Sequence, residues 1–117
     1  MHMLPWNEYR RQIGMGVSEL GRLSPDTVRG YVGMNSAAQK TGHFDDKTRE
    51  LIALAVAVTT RCDGCIAVHS AAAARAGASK EEVAAALSVA IALNAGAAMV
   101  YSARAFDAFG QQPKNPK

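Results

Sequence analysis

The sequence predicts an all-α protein. Three observations carry that expectation. No segment alternates apolar and polar residues with period two, apolar positions recur at helical spacing, and Pro and Gly fall at the edges of those runs rather than in hairpins. About six helices joined by short turns are expected. With 117 residues there is no room for a second core, so residues 1–110 are read as a single helical domain and 111–117 as a disordered tail.

Asn7 to about Leu20 reads as a first helix diluted by Gly14 and Gly16. Ser24-Pro25-Asp26 opens a second, with Ser24 as N-cap and Pro25 at the first helical position; it runs to about Lys40 and stops at Gly42. Asp45 caps a third, Asp46 to Thr60, whose stretch Leu51 to Val58 is apolar all round and so predicts a helix covered on every side. A fourth begins near Cys62 and ends at Gly77. Ser79, with Glu82 three residues on, forms a capping box for a fifth helix to about Leu93. Asn94-Ala95-Gly96 reads as a helix end, after which a sixth helix carries Met99, Val100, Ala103 and Phe106 toward a core. Met15, Met34 and Met99 are expected as core filler.

Composition narrows the function. Hydrophobic residues make up 49% of the chain but aromatics only 6%, so the core must be built from small side chains that bury little area each. A single copy is then poorly stabilised, which favours a homo-oligomer. The net charge of +3 is spread over scattered Lys and Arg without interleaved aromatics, which excludes a single-strand nucleic-acid groove. The first dozen residues are interrupted by Pro5, Trp6, Glu8, Arg10 and Arg11, unlike a signal peptide, so the expected compartment is cytoplasmic. Val83 to Ala103 lacks charge over a length that could span a bilayer. It is mostly alanine, however, and the apparent break at Asn94-Ala95-Gly96 divides it, so a buried helix is the expectation and no membrane partner is assigned.

The chemistry is concentrated in Cys62-Asp63-Gly64-Cys65, with His69 four residues on and Glu50 twelve residues before Cys62. These are the chain's two cysteines. At 3.6 residues per turn, Cys62, Cys65 and His69 share one helical face. A close cysteine pair in a reducing compartment is catalytic or metal-binding rather than structural. If the chain turns back after Arg61, the third and fourth helices run antiparallel. Glu50, about 16 Å below the turn, then comes level with His69, about 12 Å down the next helix. Amide N–H groups at the helix start favour a thiolate, His69 can take the Cys65 proton, and Glu50 would orient the imidazole. On this geometry Cys65 attacks and Cys62 closes the disulfide. A zinc site made of Cys62, Cys65, His69 and Glu50 is the competing reading, weakened by the lack of a second pair of soft ligands. His43 and Tyr101 could reach the same pocket, although no spacing requires it.

The segment from Asp46 to Phe109 resembles the alkyl hydroperoxidase D (AhpD)-like proteins of the carboxymuconolactone decarboxylase superfamily. The resemblance is carried by Lys47-Thr48-Arg49-Glu50-Leu51-Ile52-Ala53-Leu54-Ala55-Val56-Ala57, by Arg61-Cys62-Asp63-Gly64-Cys65-Ile66 and Val68-His69, and by Ala73 to Val83. It implies an all-helical fold that assembles as trimers or hexamers. It also implies hydroperoxide reduction, or electron relay from a thiol reductant such as a lipoyl group or thioredoxin-like protein to a peroxiredoxin. Carried over, Glu50 and His69 form a proton relay, Cys65 forms the sulfenic acid and Cys62 resolves it, with no cofactor and no metal. The best-studied motif of this type has a histidine just before the second cysteine, where this chain has Gly64.

The sequence thus points to a thiol-dependent peroxidase or disulfide oxidoreductase of antioxidant defence, with catalytic residues Glu50, Cys62, Cys65 and His69. The alternatives are a redox-sensing or zinc-binding helical module without catalysis, and a carboxymuconolactone-decarboxylase-like enzyme in which the cysteines are incidental.

Overall fold

The computed structural model describes residues 2–114, and these form five α-helices with no strand among them. They are α1 (Trp6–Leu23), α2 (Pro25–Lys40), α3 (Asp46–Thr60), α4 (Asp63–Arg75) and α5 (Lys80–Gly110). The fifth and sixth helices expected from sequence are one continuous helix of 31 residues. Asn94 does not end it. Its side-chain amide donates to the Ala90 carbonyl at 2.7 Å and to Thr59 Oγ1 of α3 at 2.9 Å, so a residue that often stops helices serves here as a tie between two of them. Residues 111–114 leave α5 in turn and irregular backbone; the remainder of the expected tail, 115–117, lies outside the described residues.

Local chemistry fixes the helix starts. Asp45 accepts from the Thr48 N–H at 2.8 Å at the start of α3. Ser79 and Glu82 satisfy each other's backbone N–H groups at the start of α5, both at 3.1 Å. Ser24 stands at the start of α2, but its hydroxyl meets Thr27 Oγ1 at 2.8 Å rather than a backbone amide. Lys47 and Glu82, 3.0 Å apart, clamp the start of α3 to the start of α5.

The packing centre is α3, with α4 and the first half of α5 against it. The buried residues are Leu54 and four alanines, Ala57, Ala67, Ala73 and Ala90, whose small side chains bring backbones close. α1 and α2 form a hairpin in which Val28 Cγ2 lies 3.6 Å from where a Cβ on Gly21 would stand, and this hairpin lies over α4 through Ile13, which comes as near to the same point on Gly64.

Much apolar surface stays open in one copy. Ile52 and Val56 leave one side of α3 uncovered, so the all-round burial expected of that helix is not met within a single chain. Met15, Met34, Met99, Val100 and Phe106 are likewise exposed, where the sequence reading put them in a core. The accessible surface is 9325 Å², about 3,200 Å² more than a monomer of 12.3 kDa ordinarily shows. The radius of gyration is 19.6 Å, against roughly 13 Å for a compact chain of this length. The distal half of α5 accounts for much of this, projecting without a packing partner among the described residues. By length and composition α5 could cross a bilayer. Its first half is tied to α3 by the Lys47–Glu82 ion pair and the Asn94–Thr59 hydrogen bond, with Ala90 buried.

Candidate active site

α3 ends at Thr60, and Arg61 takes the left-handed conformation (φ 55°, ψ 48°) that reverses the chain into α4. Cys62 is the N-cap of α4, and its Sγ accepts from the Cys65 N–H at 3.1 Å. Cys65 lies in the first turn, and the two sulfurs are joined as a disulfide. Both cysteines are half-buried. The pair therefore sits where the unpaired amides of a helix start would stabilise a thiolate once the bond is opened.

The reversal at Arg61 makes α3 and α4 antiparallel and brings Glu50 to His69. His69 Nδ1 lies 2.7 Å from Glu50 Oε2, with the two side chains only 20% and 17% exposed. An ionised carboxylate can only accept, so Nδ1 carries the proton and Nε2 is left as the ring's free acceptor. His69 lines the same open cleft as the disulfide, a space of about 540 Å³ bounded also by Tyr9, Ile13, Tyr31, Asp63 and Val68. A second cavity of about 390 Å³, between α2 and α3, reaches Glu50 and His69 from the other side.

Of the four residues singled out in the sequence, Cys62 and Cys65 are bonded to each other, His69 is paired with Glu50, and His69 lines the cleft that the two cysteines also line. The zinc alternative fits this arrangement poorly, because the cysteines are bonded to each other and the Glu50 oxygen is turned to Nδ1. Among the described residues no three Cys, His, Asp or Glu side chains converge as a metal site. Neither His43 nor Tyr101 lines the cleft; Tyr101 instead lies on distal α5 with the Arg104 guanidinium 4.8 Å from its ring centre.

The sequence reading missed the wall contributed by α1 and α2, namely Tyr9, Ile13 and Tyr31. One signal was available. Gly64 has no side chain, and Ile13 Cδ1 comes to 3.5 Å from where a Cβ would stand. An alanine would make ordinary contact there; a histidine ring would have to displace Ile13 or point elsewhere.

The fold and site define a class: small helical proteins with a Cys-x-x-Cys pair at a helix start, backed by a Glu–His hydrogen bond from an antiparallel neighbour. The chain belongs to the carboxymuconolactone decarboxylase family, whose model matches residues 25–108. It is 51% identical over 107 residues to an uncharacterised protein of Haemophilus influenzae, covering 92% of this chain and 95% of the relative. Its structure resembles that of a carboxymuconolactone decarboxylase family protein from Legionella pneumophila, with a TM-score of 0.72 and 32% identity, covering 91% and 95% of the two chains. A protein from Methanobacterium thermoautotrophicum is similar over 73% of this chain and 96% of its own, with a TM-score of 0.67 and 29% identity.

Proposed function

We propose that this protein is a thiol-dependent peroxidase and disulfide oxidoreductase, acting as a homo-oligomer in a reducing compartment. The observation that carries the reading is the Glu50–His69 hydrogen bond at 2.7 Å, made by the histidine that shares a cleft with the cysteine pair at the start of α4. A structural disulfide gains nothing from an acid–imidazole pair on its cleft, whereas cycling between dithiol and disulfide is accelerated by one.

In the reduced protein His69 accepts the Cys65 proton at Nε2, while Glu50 stabilises the resulting imidazolium. The Cys65 thiolate attacks the terminal oxygen of a hydroperoxide and the O–O bond breaks. The departing alkoxide takes the proton from His69 and leaves as alcohol, and Cys65 becomes a sulfenic acid. Cys62 attacks that sulfur, the S–O bond breaks, water leaves, and the disulfide forms. Two thiols of a reductant then return the pair to the dithiol, becoming a disulfide themselves.

The excess surface and the uncovered apolar residues of α5 support assembly of several copies. The test of function is turnover of an organic hydroperoxide with a dithiol, using the wild type and the single variants Cys62→Ser and Cys65→Ser. The reading expects loss of turnover in both and is refuted by unchanged rates. Activity on a lactone acid that survives both substitutions would favour decarboxylase chemistry.

A further inference from the structure

We propose that Arg61 docks the anionic group of the reductant that reopens the Cys62–Cys65 disulfide, and that this reductant is a small thiol bearing a carboxylate. The inference rests on the redox reading above and deepens it.

Arg61 lines the cleft with Cys62, Cys65 and His69, and it is the cation among the residues that bound it. Its side chain is exposed and takes part in no salt bridge among the described residues. Arg11, Arg22, Arg29 and Arg49 are each engaged by an acidic residue three positions away, and of the arginines outside these salt bridges, Arg10, Arg61, Arg75 and Arg104, Arg61 is the one on the cleft. Tyr9, Ile13, Tyr31 and Val68 add no charge to the cleft. Asp63 adds one negative charge on its rim, but it stands in the first turn of α4, where the helix start offsets it.

The backbone at Arg61 points the same way. α3 and α4 both end with an N–H bonding five residues back: Cys62 to the Ala57 carbonyl at 3.1 Å, and Ala78 to the Ala73 carbonyl at 3.0 Å. At the second end the left-handed residue is Gly77, which bears no Cβ to crowd the backbone. At the first it is Arg61, the sole non-glycine at positive φ among the described residues. Glycine would close α3 with less steric conflict. A long cationic side chain held there against that preference, one residue from a reactive sulfur, has its use in the cleft.

The step balances as follows. Arg61 holds the carboxylate through its planar fork of donors while the reductant's thiolate attacks Cys62 Sγ. The Cys62–Cys65 bond breaks, and Cys65 leaves as a thiolate that accepts a proton by way of His69. The reductant is then joined to Cys62 as a mixed disulfide. A second thiolate attacks the reductant's sulfur, Cys62 departs with the bonding pair, and the protein has gained two electrons and two protons while two thiols have become one disulfide.

The test uses the oxidised full chain under anaerobic conditions and follows opening of the disulfide by 3-mercaptopropionate, 2-mercaptoethanol and 2-aminoethanethiol. These are small anionic, neutral and cationic thiols. Dividing the wild-type rate by the variant rate for each thiol removes its intrinsic nucleophilicity. Arg61→Gln should slow 3-mercaptopropionate by about tenfold, the scale of one charge-assisted contact, while leaving 2-aminoethanethiol unchanged or faster. Arg61→Lys should keep most of the wild-type rate. Arg61→Gly should show the same loss as Gln with an unfolding midpoint equal to or above that of the wild type, which a merely structural role would not produce. Equal slowing of all three thiols, or no slowing of any, overturns the proposal and leaves the redox reading standing. A wild-type disulfide that none of the three opens overturns both.

Discussion

His69 Nδ1 and Glu50 Oε2 lie 2.7 Å apart across the α3–α4 hairpin, nineteen positions from each other in the chain. That one bond fixes the tautomer of the imidazole and turns its other nitrogen into a base. Replacing Glu50 with Gln keeps the shape but removes the charge that stabilises the protonated ring. Glu50→Gln should therefore lower the rate of hydroperoxide reduction by roughly 10²-fold, at the lower end of a general acid–base contribution. The midpoint of Cys65 alkylation against pH in the reduced protein should move upward. An unaltered alkylation profile would remove Glu50 from the relay.

The two cysteines should fail differently. Cys62→Ser retains the attacking thiol, so one dose of hydroperoxide should leave a sulfenic acid on Cys65 that a dimedone-type probe captures, with mass spectrometry as the readout. Cys65→Ser should give no such adduct. An adduct on Cys62 in the Cys65→Ser variant, at a rate matching the other, would reverse the assigned order.

The site was legible because its parts are local. The Asp45 cap, the Ser79–Glu82 box and the spacing of Cys62, Cys65 and His69 are all settled within a few residues, and helical geometry did the rest by bringing Glu50 level with His69. What failed was tertiary. Asn94 and Gly96 carry the marks of a helix end, yet the Asn94 side chain is satisfied by Ala90 and Thr59 and α5 runs on. Met99, Ala103 and Phe106 repeat at helical spacing, which shows that they share a face but not that the same chain covers it. Tyr9, Ile13 and Tyr31 come from helices whose docking no local pattern encodes.

The uncovered half of α5 gives an assembly prediction. Val100 and Phe106 are 76% and 78% exposed in one copy. If other copies cover them, Val100→Glu and Phe106→Glu should shift the protein toward monomer in sedimentation velocity while keeping its helical circular dichroism. A wild-type protein that sediments as a monomer contradicts the assembly.

The alanine packing around α3 leaves little slack. Ala67 is fully buried, and Ala67→Leu should cost about 1–3 kcal/mol through overpacking, read as a lower denaturant midpoint with an unchanged slope. Stability within ±0.5 kcal/mol of the wild type would mean that the helices part there without strain.

Acid should loosen the helix starts. Hydrogen bonds from the Thr48 backbone hold the Asp45 carboxyl below its ordinary range, and those from the Ser79 backbone and Lys47 do the same for Glu82. A carboxyl lowered in the folded state contributes its stability above the unfolded value, near pH 4, and loses it as pH falls through the folded one. Unfolding midpoints should therefore be flat on this account above about pH 5 and decline below about pH 4. Asp45→Asn combined with Glu82→Gln should flatten that decline, and an identical acid limb in the double variant would place its cause elsewhere.

The most direct test of the central claim is a thiol titration of the fully reduced wild-type protein before and after one equivalent of an organic hydroperoxide. The account predicts a fall from two free thiols per chain to none, with the corresponding alcohol released in equal amount. Two thiols that persist under that challenge would contradict it.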